Sequence, residues 1–237
     1  MKQLKKFVIF TFLFTVTGSA HATLIDFKAD ANSNERGYST LNYPGLKITA
    51  SSTRDNDPNQ YAYMDSKYGA SVANGGLGSC MDINNNNQCN PSSDDNVATG
   101  ESVHMKWDSN IMITGIWFNN NHDSDYSLVG NTINIGGVNY TFGASNFDAT
   151  RSSGNGTLAD AIAKRNADFL YNIHTSVNRN SSFNISYFNG QSPNLIGEQF
   201  YISAIQYETV PEPGVLALLS IGLIGLVTTG RRQYKSS

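Results

Sequence analysis

The residues best able to do chemistry lie close together between Gly75 and Glu101. Asp82, Asn84, Asn86 and Gln88 place side-chain oxygens at alternate positions, and Asp94, Asp95 and Glu101 add carboxylates just downstream. Hard cations such as calcium take roughly six to eight oxygen ligands, often from loops of this composition. Asp82, Asn84, Asn86, Asp94, Asp95 and Glu101 are therefore the candidate calcium ligands. The run is not an EF-hand, because its sixth position is Asn87 instead of Gly, its twelfth is Ser93 instead of Glu, and flanking helices are lacking. A solvated polar loop closed by a disulfide accounts for the same residues, and both readings stay open. If calcium binds, pinning the loop suits it better than catalysis.

A second group, Asn119 to Tyr126, follows the strongest apolar run of the chain. His122, Asp123 and Asp125 could be metal ligands or sugar-binding groups, with Tyr126 as a stacking platform; a plain polar turn is the alternative. Loops on a rigid scaffold are where binding residues concentrate. Nucleophilic catalysis has little support: the chain has no G-x-S-x-G elbow, and His104 reads as a surface residue of a strand. A glycosidase needs only two suitably spaced carboxylates, but 18 acids between residues 23 and 210 supply such pairs by chance. No catalytic residue is assigned.

The ends of the chain say how it travels. Met1 to Lys6 is basic, Phe7–Val16 is apolar, and Ala20-His21-Ala22 closes the segment. That order describes a secretory signal peptide over 1–22, cleaved after Ala22. At the other end Pro211-Glu212-Pro213 precedes an apolar run of 17 residues, Gly214 to Gly230, and then Arg231-Arg232. The run is at the short end of what spans a bilayer, and the arginines orient it with the preceding chain outside.

This tail, residues 211–237, resembles the PEP-CTERM sorting signal of exported bacterial proteins. The resemblance implies recognition by a membrane-embedded exosortase after signal peptidase has acted, removal of the tail, and delivery to the cell surface or extracellular matrix. The segment from Cys80 through Cys89 to Asp94, Asp95 and Glu101 also resembles one recurring in PEP-CTERM exported domains, to which it brings no settled activity. Contact with the inner membrane is then only through the tail.

The exported part is residues 23–210. The two ends hold six of the 16 basic residues and one of the 19 acidic ones, leaving 10 and 18, a formal charge of −8. Such a balance argues against nucleic acid, whose backbone demands clustered cations, and suits cations or neutral sugars. Outside the cytoplasm the two cysteines, Cys80 and Cys89, are expected to form one structural disulfide.

Abundant Asn, Ser and Gly with 12 Tyr and 12 Phe favour antiparallel strands joined by polar turns. Strands are expected at 24–27, 46–50, 61–65, 103–107, 111–118, 132–135, 138–142, 183–188 and 200–207, with irregular chain over 66–100. Gly136-Gly137 marks a hairpin, and one helix is expected from Leu158 to about Phe169, capped by Thr157. The fold class is all-β: a jelly-roll-like antiparallel β-sandwich with one short helix, flanked by the signal peptide and the transmembrane sorting helix.

Function follows by location and composition: a non-enzymatic surface or exopolysaccharide-matrix module, binding glycans through an exposed Tyr or Trp107, or serving structurally. The alternative is a secreted carbohydrate-active enzyme using carboxylates near 82–101 or 123–125.

Overall fold

The computed structural model describes residues 22–31, 34–53, 60–66, 75–91, 95–120, 132–141, 169–187, 199–211 and 220–222. The helix expected from Leu158 to about Phe169 lies outside them except for Phe169, as do residues 1–21 of the expected signal peptide and nearly all of the apolar run from Gly214 to Gly230. Among the described residues no helix is long and apolar enough to cross a membrane.

The first strand, β1 (Ala22–Asp26), runs into a single helical turn, α1 (Phe27–Ala31). Asp26 caps that turn, its Oδ1 accepting from Ala29 N at 3.0 Å, which satisfies a donor the helix cannot satisfy itself. Thirteen further strands follow: β2 (Arg36–Tyr38), β3 (Leu41–Tyr43), β4 (Leu46–Ser52), β5 (Tyr61–Asp65), β6 (Gly76–Cys80), β7 (Val97–Ala98), β8 (Glu101–Trp107), β9 (Ile111–Asn120), β10 (Thr132–Ile135), β11 (Val138–Thr141), β12 (Phe169–Val177), β13 (Ser182–Tyr187) and β14 (Gln199–Thr209).

They form two sheets, and every pairing is antiparallel. The larger has eight strands in the order β12-β9-β14-β6-β5-β2, with β1 and β7 also paired to β14; the smaller has six, β11-β10-β13-β8-β4-β3. From β7 onward the chain changes sheet at nearly every step, only the β10–β11 hairpin staying within one. That crossing pattern makes the sandwich jelly-roll-like.

Alternation builds the core. In β8, Val103, Met105 and Trp107 point inward while Ser102, His104 and Lys106 do not. Trp107 packs edge-on against Phe183 and Tyr207 at 6.2 and 5.7 Å, and Phe118 meets Phe200 at 5.4 Å. Trp107 is 1% exposed, which removes it as a glycan contact.

Two other expectations change. Residues 76–80 are not irregular: they form β6 in the larger sheet, a strand hidden by its glycines. Phe169 opens β12 instead of closing a helix.

Trp107→Ala should cost about 3–5 kcal/mol, the usual range for emptying a core site of that size. The measurement is the shift in denaturant midpoint, with the slope unchanged.

Candidate functional site

The sequence singled out the Cys80–Glu101 segment, and the structure lays most of it over the outer face of the larger sheet. Cys80 at the end of β6 is bonded to Cys89, with Cα atoms 5.9 Å apart. The bridge packs on Tyr61, Tyr63 and Ile83, away from the inter-sheet core. The loop tip docks on β2: Gly37 N donates to Asn87 O at 2.8 Å, and Gln88 Nε2 donates to Glu35 O at 2.5 Å. Ile83 Cγ2 would lie 2.6 Å from a Cβ on Gly37, so that glycine is what lets the loop seat.

Beneath the loop lies a polar cluster, buried at Tyr63, Asp65, Asp95 and Tyr201 and half-buried at Glu35 and Ser66. Tyr201 donates to Asp95 Oδ1 at 2.6 Å and also bonds to Asp65. Tyr63 donates to Glu35 Oε1 at 3.0 Å, and Ser66 donates to Glu35 Oε2 at 2.7 Å. Burial, then the charges of Asp95 and Asp65, push the Tyr201 hydroxyl well above its ordinary value of 10.0. Burial, then Glu35, pushes Tyr63 up in the same way. Asp65 and Asp95 are each 3% exposed, so this converging acid pair is closed to a polymer substrate.

The candidate calcium ligands are spread through this architecture. Asp82, Asn84 and Asn86 are exposed. Asp82 Oδ1 accepts from Ile83 N at 2.8 Å, and Asn84 Oδ1 accepts from Asn86 N and Gln88 N at 2.8 and 3.1 Å. Those oxygens fold the turn itself. Asp95 is held under the loop by Tyr201, and Glu101 lies at the inward face of β8, its Oε2 accepting from Ala98 N at 2.9 Å. Among the described residues no three His, Cys, Asp or Glu are grouped to hold a metal. Asp94, His122, Asp123, Asp125 and Tyr126 lie outside the described residues.

Two features escaped the sequence. His104 is more than a surface residue: its Nε2 meets Ser51 Oγ at 2.6 Å and its Nδ1 meets Asn184 Oδ1 at 2.7 Å, on three neighbouring strands. Ser182 Oγ donates to the same Asn184 oxygen at 2.7 Å. The row lies across one face of the smaller sheet as a cross-strand polar ladder joining β4, β8 and β13.

The second feature is an open groove of about 530 Å³ lined by Asp30, Asn34, Tyr38, Thr40, Leu41, Asn42 and Tyr43. It forms where β2, the last strand of the larger sheet, passes into β3, the last strand of the smaller. Tyr43 donates to Asp30 Oδ2 at 3.0 Å and packs edge-on against Phe27 at 5.7 Å. Asn34 Nδ2 donates to Tyr38 Oη at 3.4 Å, and the Arg36 guanidinium lies 5.6 Å from the Tyr38 ring centre. Burial and Asp30 push the Tyr43 hydroxyl up, so it stays a donor. Short strands of three residues gave no periodicity by which to foresee this groove.

The tail leaves from the far end of β14. Thr209 closes that strand, Val210 N donates to Asn110 O at 2.8 Å, and Pro211 follows. Residues 209–233 match the family model of the PEP-CTERM protein-sorting motif. The chain carries a PEP-CTERM sorting signal. No curated protein and no solved structure matches the chain. The PEP-CTERM match covers Pro211, Glu212, Pro213, Arg231 and Arg232, and it implies exosortase processing and export to the cell envelope.

Replacing Gly78 should unseat the covering loop, because a Cβ there would lie 2.0 Å from Asp95 O. Gly78→Ala is expected to speed proteolysis within 81–96, read by mass spectrometry of limited digests, well before the core strands are cut. Alkaline stability gives a second test. A tyrosine whose folded value is raised stabilises the fold fully below the unfolded value of 10.0, and that contribution falls as pH rises toward the folded value. Tyr201→Phe should therefore lose about 1–3 kcal/mol at neutral pH and show a flatter decline above pH 10.0 in pH-dependent denaturation.

Proposed function

We propose that the exported domain is a non-enzymatic glycan-binding module of the cell surface or exopolysaccharide matrix. The observation that carries this reading is the groove at the β2–β3 edge. Carbohydrate sites combine aromatic surface, which packs on the C–H face of a sugar ring, with amides and carboxylates that bond its hydroxyls. The groove offers Tyr38 and Tyr43 with Asp30, Asn34, Thr40 and Asn42. Among the described residues the Asp30 carboxylate lines the groove and the Arg36 guanidinium lies over Tyr38, so the two charges offset and a neutral sugar fits this balance. The formal charge of −8 over residues 23–210 points the same way.

This groove replaces the buried Trp107 as the proposed contact surface, while the His122–Tyr126 loop lies outside the described residues. It also separates recognition from the polar loop: in this reading any calcium held at Asp82–Glu101 steadies that loop and does not touch the sugar. The sorting signal supports the location, since a cell-envelope route brings the domain to polysaccharide.

The test is titration of the processed protein with the producer's own exopolysaccharide, in calcium and in chelator. Binding is expected in both, with Tyr38→Ala and Asn42→Ala each weakening it about tenfold, the effect of roughly 1.4 kcal/mol. Binding lost only in chelator would move recognition to the Asp82–Glu101 loop. No binding in either condition would overturn the reading and leave a structural envelope protein.

A further inference from the structure

Residues 209 and 210 belong to two things at once. They open the match to the sorting motif, which runs over 209–233, and they finish the central strand of the larger sheet. Thr209 is in register with Ile111, and Val210 N donates to Asn110 O at 2.8 Å. Asn110 is itself fixed, since its Oδ1 accepts from Arg179 N at 2.8 Å and so ties it to the turn between β12 and β13. On the other edge of β14, among the described residues, β1 pairs as far as Ala22 opposite Glu208. Thr209 and Val210 are held from the β9 side by Ile111 and Asn110.

The apolar run begins at Gly214, three residues beyond Pro211. At about 3.3 Å per extended residue the four residue steps from Val210 to Gly214 can span at most roughly 13 Å. A membrane-embedded processing enzyme thus meets the motif beside a folded sheet. To take the motif with the residues before it as extended chain, it needs backbone groups that β9 already occupies.

We propose that the end of β14 is a latch on sorting: Asn110 holds residues 209–210 in the sheet, and the tail is removed from molecules in which this end has peeled away. Strand ends open far more readily than whole sheets, and the apparent rate of processing is scaled by the open fraction. Asn110 acts as a positioning residue, through its carbonyl on Val210 N. The latch rests on exosortase processing and is independent of glycan binding.

The experiment uses the full chain in the cells that produce it, following tail removal by pulse–chase. One variant inserts six Gly and Ser residues between Val210 and Pro211, leaving the Asn110 contact in place and freeing the motif from Pro211 onward. A second, Val210→Pro, deletes the donated N–H. Both should be processed about three- to tenfold faster, the equilibrium factor of one or two net backbone hydrogen bonds. Protease resistance of the domain and the Cys80–Cys89 bond serve as folding controls. The same insertion in the Gly136-Gly137 turn should leave the rate unchanged. If Val210→Pro does not fold, the tail insertion decides the matter, because its added residues lie outside the sheet. An unchanged or slower rate for a folded tail insertion would overturn the latch.

Discussion

A Cβ on Gly78 would lie 2.0 Å from Asp95 O, and one on Gly76 would lie 2.7 Å from Ile202 O, so β6 accepts its neighbours only where it has no side chains. Much of the larger sheet depends on that approach. It lets β14 pair with β6 at Ile202 and Leu77, and it brings the chain at Asp95 down onto the outer face. There Asp95 meets Tyr201, and the disulfide loop closes over Tyr63. The larger sheet is thus buried on both faces around β5, β6 and β14, while the smaller sheet keeps one face open.

The two faces of that sheet are filled by different physics. Inside, aromatic and branched side chains remove apolar area from water. Outside, Asp65, Asp95 and Glu35 meet tyrosine and serine hydroxyls. A buried carboxylate needs donors, and a tyrosine whose own ionisation is suppressed by burial remains one across the neutral range. Such a cluster contributes little net stability compared with an apolar core of equal volume. What it adds is register, since the Tyr201 hydroxyl reaches Asp95 only when β14 places it beneath that carboxylate.

The alternating strands were legible from sequence because one face of each is apolar: β4, β5, β8, β9, β13 and β14 sit within a few residues of their expected positions. The Gly136-Gly137 hairpin was legible from turn chemistry, with both glycines at positive φ, 59° and 91°. β6 was not, because Gly-Leu-Gly-Ser-Cys has no strand propensity; its glycines answer to backbone several strands away. The disulfide followed from cysteine count and route. The groove at Tyr38 and Tyr43 was invisible, since two three-residue strands and a single helical turn have no period to read, and its walls meet only once β2 and β3 end different sheets. The acids at 82–101 carried the opposite problem: their types suggested one site, but the fold sends Asp82 to solvent, Asp95 beneath the loop and Glu101 toward the sheet interior.

The order of the strands along the chain bears on how an exported protein of this shape assembles. Every pairing of the smaller sheet, β11-β10-β13-β8-β4-β3, is available once Tyr187 has emerged. The larger sheet is then still in pieces: β12 with β9, β6 with β5 and β2, and β1 and β7 unjoined. One strand, Gln199–Thr209, unites all of them, pairing β9 along one edge and β7, β6 and β1 along the other. Closure of the core waits for that strand, and the match to the sorting motif starts at its last residue. Non-local pairings form slowly because their loops must close first. The strand that closes the larger sheet is therefore the last element before the sorting signal, and every non-local contact of that sheet's centre depends on it.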